Sequence, residues 1–157
     1  MSTKKKPAKK PSAILNRRAS FDYALDDEIT AGIVLNGKEA RAARDGRVQL
    51  KGSFVTIRHN ELWLNNASFT LRLNTKGQND VSVDTTARKL LASRKQIDAL
   101  AERKQQGMSI VPLRLLTAGR FIKVVIAVGK GKKNYDKRQA IKKRDQAREA
   151  ARENPHR

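Results

Sequence analysis

Residues 107–128 read "GMSIVPLRLLTAGRFIKVVIAV". Two runs rich in Ile, Val and Leu flank Thr117-Ala118-Gly119-Arg120. Apolar, β-branched runs of this length around a Gly-containing turn form paired strands. Pro112 has no N–H to give to a ladder, so it must stand at an edge or at a bulge. This hairpin makes the chain a β protein, and the segments before it agree. "SRKQIDALAERKQQG" (93–107) is a helix, with Ser93 and Gln96 spaced as a capping box, Ile97, Leu100 and Ala101 on one face, and Gly107 at its stop. "VSVDTTARKLLA" (81–92) reads as a weak strand followed by a basic approach to that helix. "SFVTIRHNELWLNNASF" (53–69) is a hairpin turning at His59-Asn60, with His59 a solvated turn residue.

Further upstream, "FDYALDD" and "TAGIVLNG" read as two separate half-buried strands, and "KEARAARDG" as a short helix closed by Gly46. "FTLRLN" is a further strand and "TKGQND" a loop. The run Asp26-Asp27-Glu28 is a solvated strand end. Six or seven short strands with one short and one longer helix predict a mainly β fold over residues 14–128. Open sheets of that size expose their edges, so a small, closed, OB-like β-barrel is expected.

The charge is distributed unevenly. The chain of 157 residues carries 35 Lys and Arg against 15 Asp and Glu, a formal +20. Residues 1–13 hold five Lys and no acid, and residues 129–157 hold eleven basic groups against four acidic ones. A field of this sign recruits polyanions, nucleic acid before anionic membrane. With no cysteine, disulfides, thiolate chemistry and Cys-based zinc sites are excluded. His59 and His156 cannot form a helical metal pair, and no nucleophile elbow, phosphate-cradling loop or His–carboxylate pair is present. The expectation is a cytoplasmic, monomeric binding protein that is not an enzyme, with no cofactor, no metal, no small-molecule substrate and no membrane partner.

Basic residues carry the candidate site. Lys38, Arg41 and Arg44 fall at i, i+3, i+6 and share a broad helix face. Arg88 and Lys89 precede the longer helix, and Lys123 lies in the last strand. Residues 1–13 lack the apolar surface to order themselves. The tail "GKGKKNYDKRQAIKKRDQAREAARENPHR" (129–157) has helix formers and opposite-charge pairs at Asp145–Arg148 and Glu149–Arg152. Its apolar stripe is thin, so it is expected to be disordered when free and helical when bound to a polyanion. Tyr135 is its one aromatic ring, and Asp136 is a candidate cap.

Four stretches together resemble the SsrA-binding protein family, also called small protein B. They are "NRRASFDYALDDEITAGIVLNGKEARAARDGRVQL", "RKLLASRKQIDAL", "GMSIVPLRLL" and "GKGKKNYDKRQAIKKRDQAR". The resemblance runs from about Asn16 to Arg148. It implies an OB-like barrel that binds the tRNA-like part of transfer-messenger RNA and enters stalled ribosomes with it, for rescue by trans-translation. The tail would lie as a helix in the empty messenger channel, against ribosomal RNA of the decoding centre. Asn16, Glu39, Arg41 and Lys123 match family positions on the RNA-facing barrel. Gly131, Lys132, Lys133, Tyr135, Asp136, Lys137 and Arg138 match the tail motif. Lys130, Lys142, Lys143, Arg144 and Arg148 complete the implied tail site. The sequence departs from the family pattern at Thr30, which replaces an acid, at the shortened stretch Thr85–Leu90, and throughout residues 69–84. The other reading of the same charge and fold is a different basic, OB-type RNA-binding or ribosome-associated protein.

Overall fold

The computed structural model describes residues 13–73, 80–132 and 134–153. The expected disorder of residues 1–12, most of the "TKGQND" loop, and residues 154–157 lie outside them, whereas Ala13, expected to be disordered too, begins the first strand opposite Leu116. In chain order the elements are β1 (Ala13–Leu15), α1 (Arg17–Asp22), β2 (Tyr23–Ile33), α2 (Gly37–Arg44), β3 (Val48–Gln49), β4 (Phe54–Arg58) and β5 (Glu61–Asn65). They continue with β6 (Ser68–Arg72), β7 (Val81–Asp84), β8 (Arg88–Leu91), α3 (Arg94–Gln105), β9 (Ser109–Leu116), β10 (Lys123–Gly131) and α4 (Asn134–Glu153). Among the described residues the fold is mainly antiparallel β with four helices. A seven-stranded sheet runs β1-β9-β10-β2-β8-β5-β4, and a three-stranded sheet runs β3-β6-β7. The first and last parts of the large sheet meet where Val55 of β4 pairs with Ile110 of β9.

The β9–β10 hairpin forms as its sequence requires. Strand β10 lies between β9 and β2, and Val124 to Val128 are all buried, as in a strand covered on both faces. Pro112 stands at a bulge: Ile126 opposes Pro112 while Val125 opposes Arg114, so Leu113 is the extra residue. A bulge frees backbone carbonyls that need donors. The Asn16 N–H donates to the Leu113 carbonyl at 2.7 Å and Asn16 Nδ2 donates to the Pro112 carbonyl at 2.8 Å. Asn16 is therefore buried at the corner between β1 and α1, fastening both to β9.

Three expectations change. "FDYALDD" and "TAGIVLNG" are not two strands: Phe21 ends up in α1, and Tyr23–Ile33 is one strand. Its ladder against β10 shifts so that Asp27 bulges, with φ of 23°. Asp is among the few residues that tolerate positive φ. The acidic run is exposed, as expected, but it lies mid-strand rather than at a strand end, and it is paired. Arg103, from the last turn of α3, reaches Asp26 at 3.4 Å and pairs with Asp27, and Arg114 lies 3.4 Å from Glu28. Finally, residues 88–91 are a strand rather than an approach to a helix. Strand β8 inserts between β2 and β5, pairing Ile33 with Leu90 on one side and Leu62 with Leu90 on the other.

The insertion of β8 buries Arg88, whose side chain is 4% exposed. Its guanidinium carbon sits 3.8 Å from the centroid of the Phe69 ring, and Nη1 donates to the Thr86 carbonyl at 2.7 Å. Nε lies 3.4 Å from Glu39 of α2, and Nη2 lies 3.6 Å from Asp84 of β7. Phe69 itself is fully buried among Leu50, Leu62, Leu64 and Leu90. Replacing Arg88 by Ala should cost about 3–5 kcal/mol, because Glu39, only 13% exposed, is left without its cation and the place of the buried guanidinium is emptied. Chemical denaturation measures this, and the double variant Arg88→Met/Glu39→Gln is expected to recover part of the loss.

Candidate nucleic-acid interface

Helix α2 is set by its own sequence at the start and by packing along its length. The Glu39 N–H donates to Asn36 Oδ1 at 2.9 Å, and the Asn36 N–H donates to Glu39 Oε2 at 3.3 Å, a complete capping box. Ala42 and Ala43 are fully buried, so Lys38 and Arg41 are turned to solvent. Arg44 is used differently. Its Nη1 donates to the carbonyls of Thr117 and Gly119 at 3.1 and 3.0 Å, and its Nη2 to that of Arg120 at 3.0 Å. Arg44 thus ties α2 to the β9–β10 turn. Lys123 follows that turn, exposed, opposite Gly32 and Leu116. The tie brings Lys38, Arg41 and Lys123 to the same end of the sheet.

The remaining barrel candidates are engaged inside the fold. Asn16 holds the β9 bulge, Glu39 caps α2 and faces Arg88, and Arg88 is buried. Lys89 Nζ lies 2.9 Å from Glu61, with both side chains about two-fifths exposed. The same end of the molecule carries groups that the sequence did not single out. Phe121 is 70% exposed in the turn, with the Arg120 guanidinium 5.5 Å from its ring centroid. Its signal was an aromatic residue directly after Gly119-Arg120. Arg47, just before β3, and Arg72, at the end of β6, line a cleft with α2.

The tail is anchored before it becomes a helix. Lys130 and Gly131 are the last residues of β10, opposite Ala24 and Tyr23. The Lys132 N–H donates to the Asp22 carbonyl at 2.8 Å, and Lys132 Nζ donates to that of Ser20 at 2.9 Å. On α4, Lys137, Ile141, Arg144 and Arg148 share one stripe, and Lys137 Nζ lies 3.3 Å from Asp22 Oδ1. Phe21 of α1 stands between two cations, Arg18 at 5.5 Å and Arg144 at 5.9 Å from its centroid. Arg138, Lys142 and Lys143 are exposed. Lys133 and the side chains of Tyr135 and Asp136 lie outside the described residues.

These features meet an independent finding. The family described as "SmpB protein" matches residues 13–156. The chain belongs to the SmpB family. The SsrA-binding protein of Oenococcus oeni (strain ATCC BAA-331 / PSU-1) is 43% identical over 136 residues, covering 85% of this chain and 86% of its own. That of Lactiplantibacillus plantarum (strain ATCC BAA-793 / NCIMB 8826 / WCFS1) is 41% identical over 156 residues, covering 97% and 98%. Among solved structures, a chain described as "tmRNA-SmpB: a journey to the center of the bacterial ribosome" matches with a TM-score of 0.62 at 32% identity. The match covers 83% of this chain and 95% of that one. Among the described residues, no helix of this SmpB family member is long and apolar enough to cross a membrane.

Asp22 marks where the tail meets the body. Burial works to raise its carboxyl, but hydrogen bonds and charge from Arg18 and Lys137 outweigh it and hold the group below its ordinary value of 3.8. A depressed folded value means that the contact contributes fully above the unfolded value. It is lost as pH falls through the lower, folded one. The attachment of α4 to α1 should therefore be indifferent to pH near neutrality and loosen only in acid. An NMR titration of Asp22 is expected to show a midpoint below 3.8 in the native chain and a higher one in Lys137→Met.

Proposed function

We propose that this chain binds the tRNA-like part of transfer-messenger RNA and delivers it, as a cytoplasmic monomer, to stalled ribosomes for trans-translation. The observation that carries the reading is the exposed set Lys38, Arg41 and Lys123, brought to one end of the sheet by Arg44, in a chain of the SmpB family. The succession β9-β10-β2-β8-β5-β4, with β4 returning to β9, supports taking the large sheet as a small OB-like barrel. Phosphate contacts made by such a face position a protein on RNA and release counterions, so affinity falls steeply with salt. Charge reversal at Arg41 or Lys123 should cost roughly 1–3 kcal/mol of RNA affinity, measured by filter binding at fixed salt. The RNA that co-purifies with the chain tests the reading itself. A single abundant species with a tRNA-like end is expected, and a broad mixture of RNAs would favour a general basic RNA-binding protein. No reaction is assigned to the chain, and a nuclease assay is expected to give no turnover.

The tail is assigned to the ribosome rather than to the first RNA contact. Its stripe offers α1 only one large apolar residue, Ile141, which is 45% exposed, so its outer turns should be marginal in the free protein. Against the phosphates of an empty messenger channel the same cations would hold it as a helix. Deleting residues 132–157 should leave RNA binding nearly intact and abolish tagging of a protein made from a message without a stop codon. A scrambled tail of equal composition should also fail. Full tagging with the scrambled tail would reduce the tail to non-specific charge.

A further inference from the structure

We propose that the cleft between α2 and the β3–β6 edge is a seat for one phosphate group of the bound RNA, with Arg47 as its half-buried floor. It is lined by Gly37, Lys38, Arg41, Asp45, Arg47 and Arg72, four cations and one carboxylate. Asp45 cannot neutralise them. It lies 3.4 Å from Arg41 Nε and 3.0 Å from Arg47 Nη2, so one negative charge is shared by two guanidinium groups. The side chain of Arg47 is 21% exposed, and its Nε and Nη1 are buried with no hydrogen-bond partner among the described residues. Burying guanidinium N–H groups unpaired is costly, and an anion in the adjoining cleft offsets that cost through charge. Lys38 of α2 and Arg72 of β6 are exposed and both line the cleft.

The backbone of α2 favours the same ligand. Its first turn opens the cleft at Gly37, where an added Cβ would meet nothing within 4 Å. The Asn36–Glu39 capping box occupies this terminus, so what α2 adds to the cleft is partial positive charge rather than free donors. Four of the six lining residues are cations, and a phosphate is the anion that Arg forks and a Lys point charge match together. A carboxylate-bearing peptide would meet Asp45 with no extra donors to compensate.

The seat rests on the RNA-binding reading for its biological ligand, so the test has two arms. In the first, inorganic phosphate is titrated into the whole chain at constant ionic strength, and arginine side-chain Nε–H resonances are followed by NMR. Saturating shifts are expected at Arg47 and Arg72, with none of that size at Arg94 on α3. Shifts equal at all three, or reproduced by chloride, would overturn the seat whether or not the chain binds RNA. In the second arm, Lys38→Gln/Arg72→Gln is compared with Arg94→Gln/Lys95→Gln, which removes the same charge elsewhere. The first pair should weaken binding of the tRNA-like RNA roughly ten- to a hundredfold, the range for losing one or two charge-assisted hydrogen bonds. It should also flatten the salt slope by about one. Equal losses for both pairs would mean a diffuse field and no seat.

Discussion

The buried cation Arg88 joins the two sheets and the basic helix α2. Arg88 reaches the molecule's interior because β8 is squeezed between β2 and β5, and there it finds a ring below it and carboxylates beside it. Phe69 belongs to the small sheet, Glu39 to α2, Asp84 to β7. From the large sheet, one guanidinium therefore reaches both the β6–β7 ladder of the small sheet, where Phe69 pairs with Asp84, and α2. Glu39 has a second duty, since the same carboxylate closes the capping box that starts α2. The orientation of Lys38 and Arg41 follows from that chain of contacts. Losing the buried cation would disturb an exposed face that it never touches.

Two bulges complete the frame, and each is answered by a side chain from elsewhere. The β9 bulge at Pro112 exposes carbonyls that Asn16 satisfies, and this seats β1 and α1. The β2 bulge at Asp27 presents three carboxylates to Arg103 and Arg114. Bulges bend strands and increase their twist. Here they curl the large sheet far enough for β4 to meet β9. The end of β10 then delivers Gly131 next to Tyr23, so the tail leaves the body beside α1 and its first cations meet Asp22.

Charge is thus divided by task. Arg88, Arg103 and Arg114 pair with acids to hold the fold, and Arg44 holds a turn through three carbonyls. Lys38, Arg41, Arg72, Lys123 and the outer face of α4 face solvent. A net charge of +20 describes neither group alone. The field that draws RNA comes from the cations left over after folding.

The sequence alone determined the strongest local features. The β9–β10 hairpin, the need for a bulge at Pro112, the capping box of α3, the short helix ended at Gly46 and the His59-Asn60 turn all rest on residue spacing and backbone chemistry, which act within a few positions. The resemblance to the family was legible for a related reason, since its motifs are contiguous strings. What only the tertiary structure decided is which basic residues are free. Arg44 and Lys38 share a helix face by spacing, yet one is spent on carbonyls some seventy positions away, at Thr117, Gly119 and Arg120. Arg88 and Lys89 are neighbours in a basic dipeptide, and strand alternation sends one inward to Phe69 and the other outward to Glu61. Arg47 and Arg72 converge on one cleft only because Thr70 of β6 pairs back to the Arg47 carbonyl. Long-range pairing sets the surroundings of a charge, and no local pattern in the chain encodes that pairing.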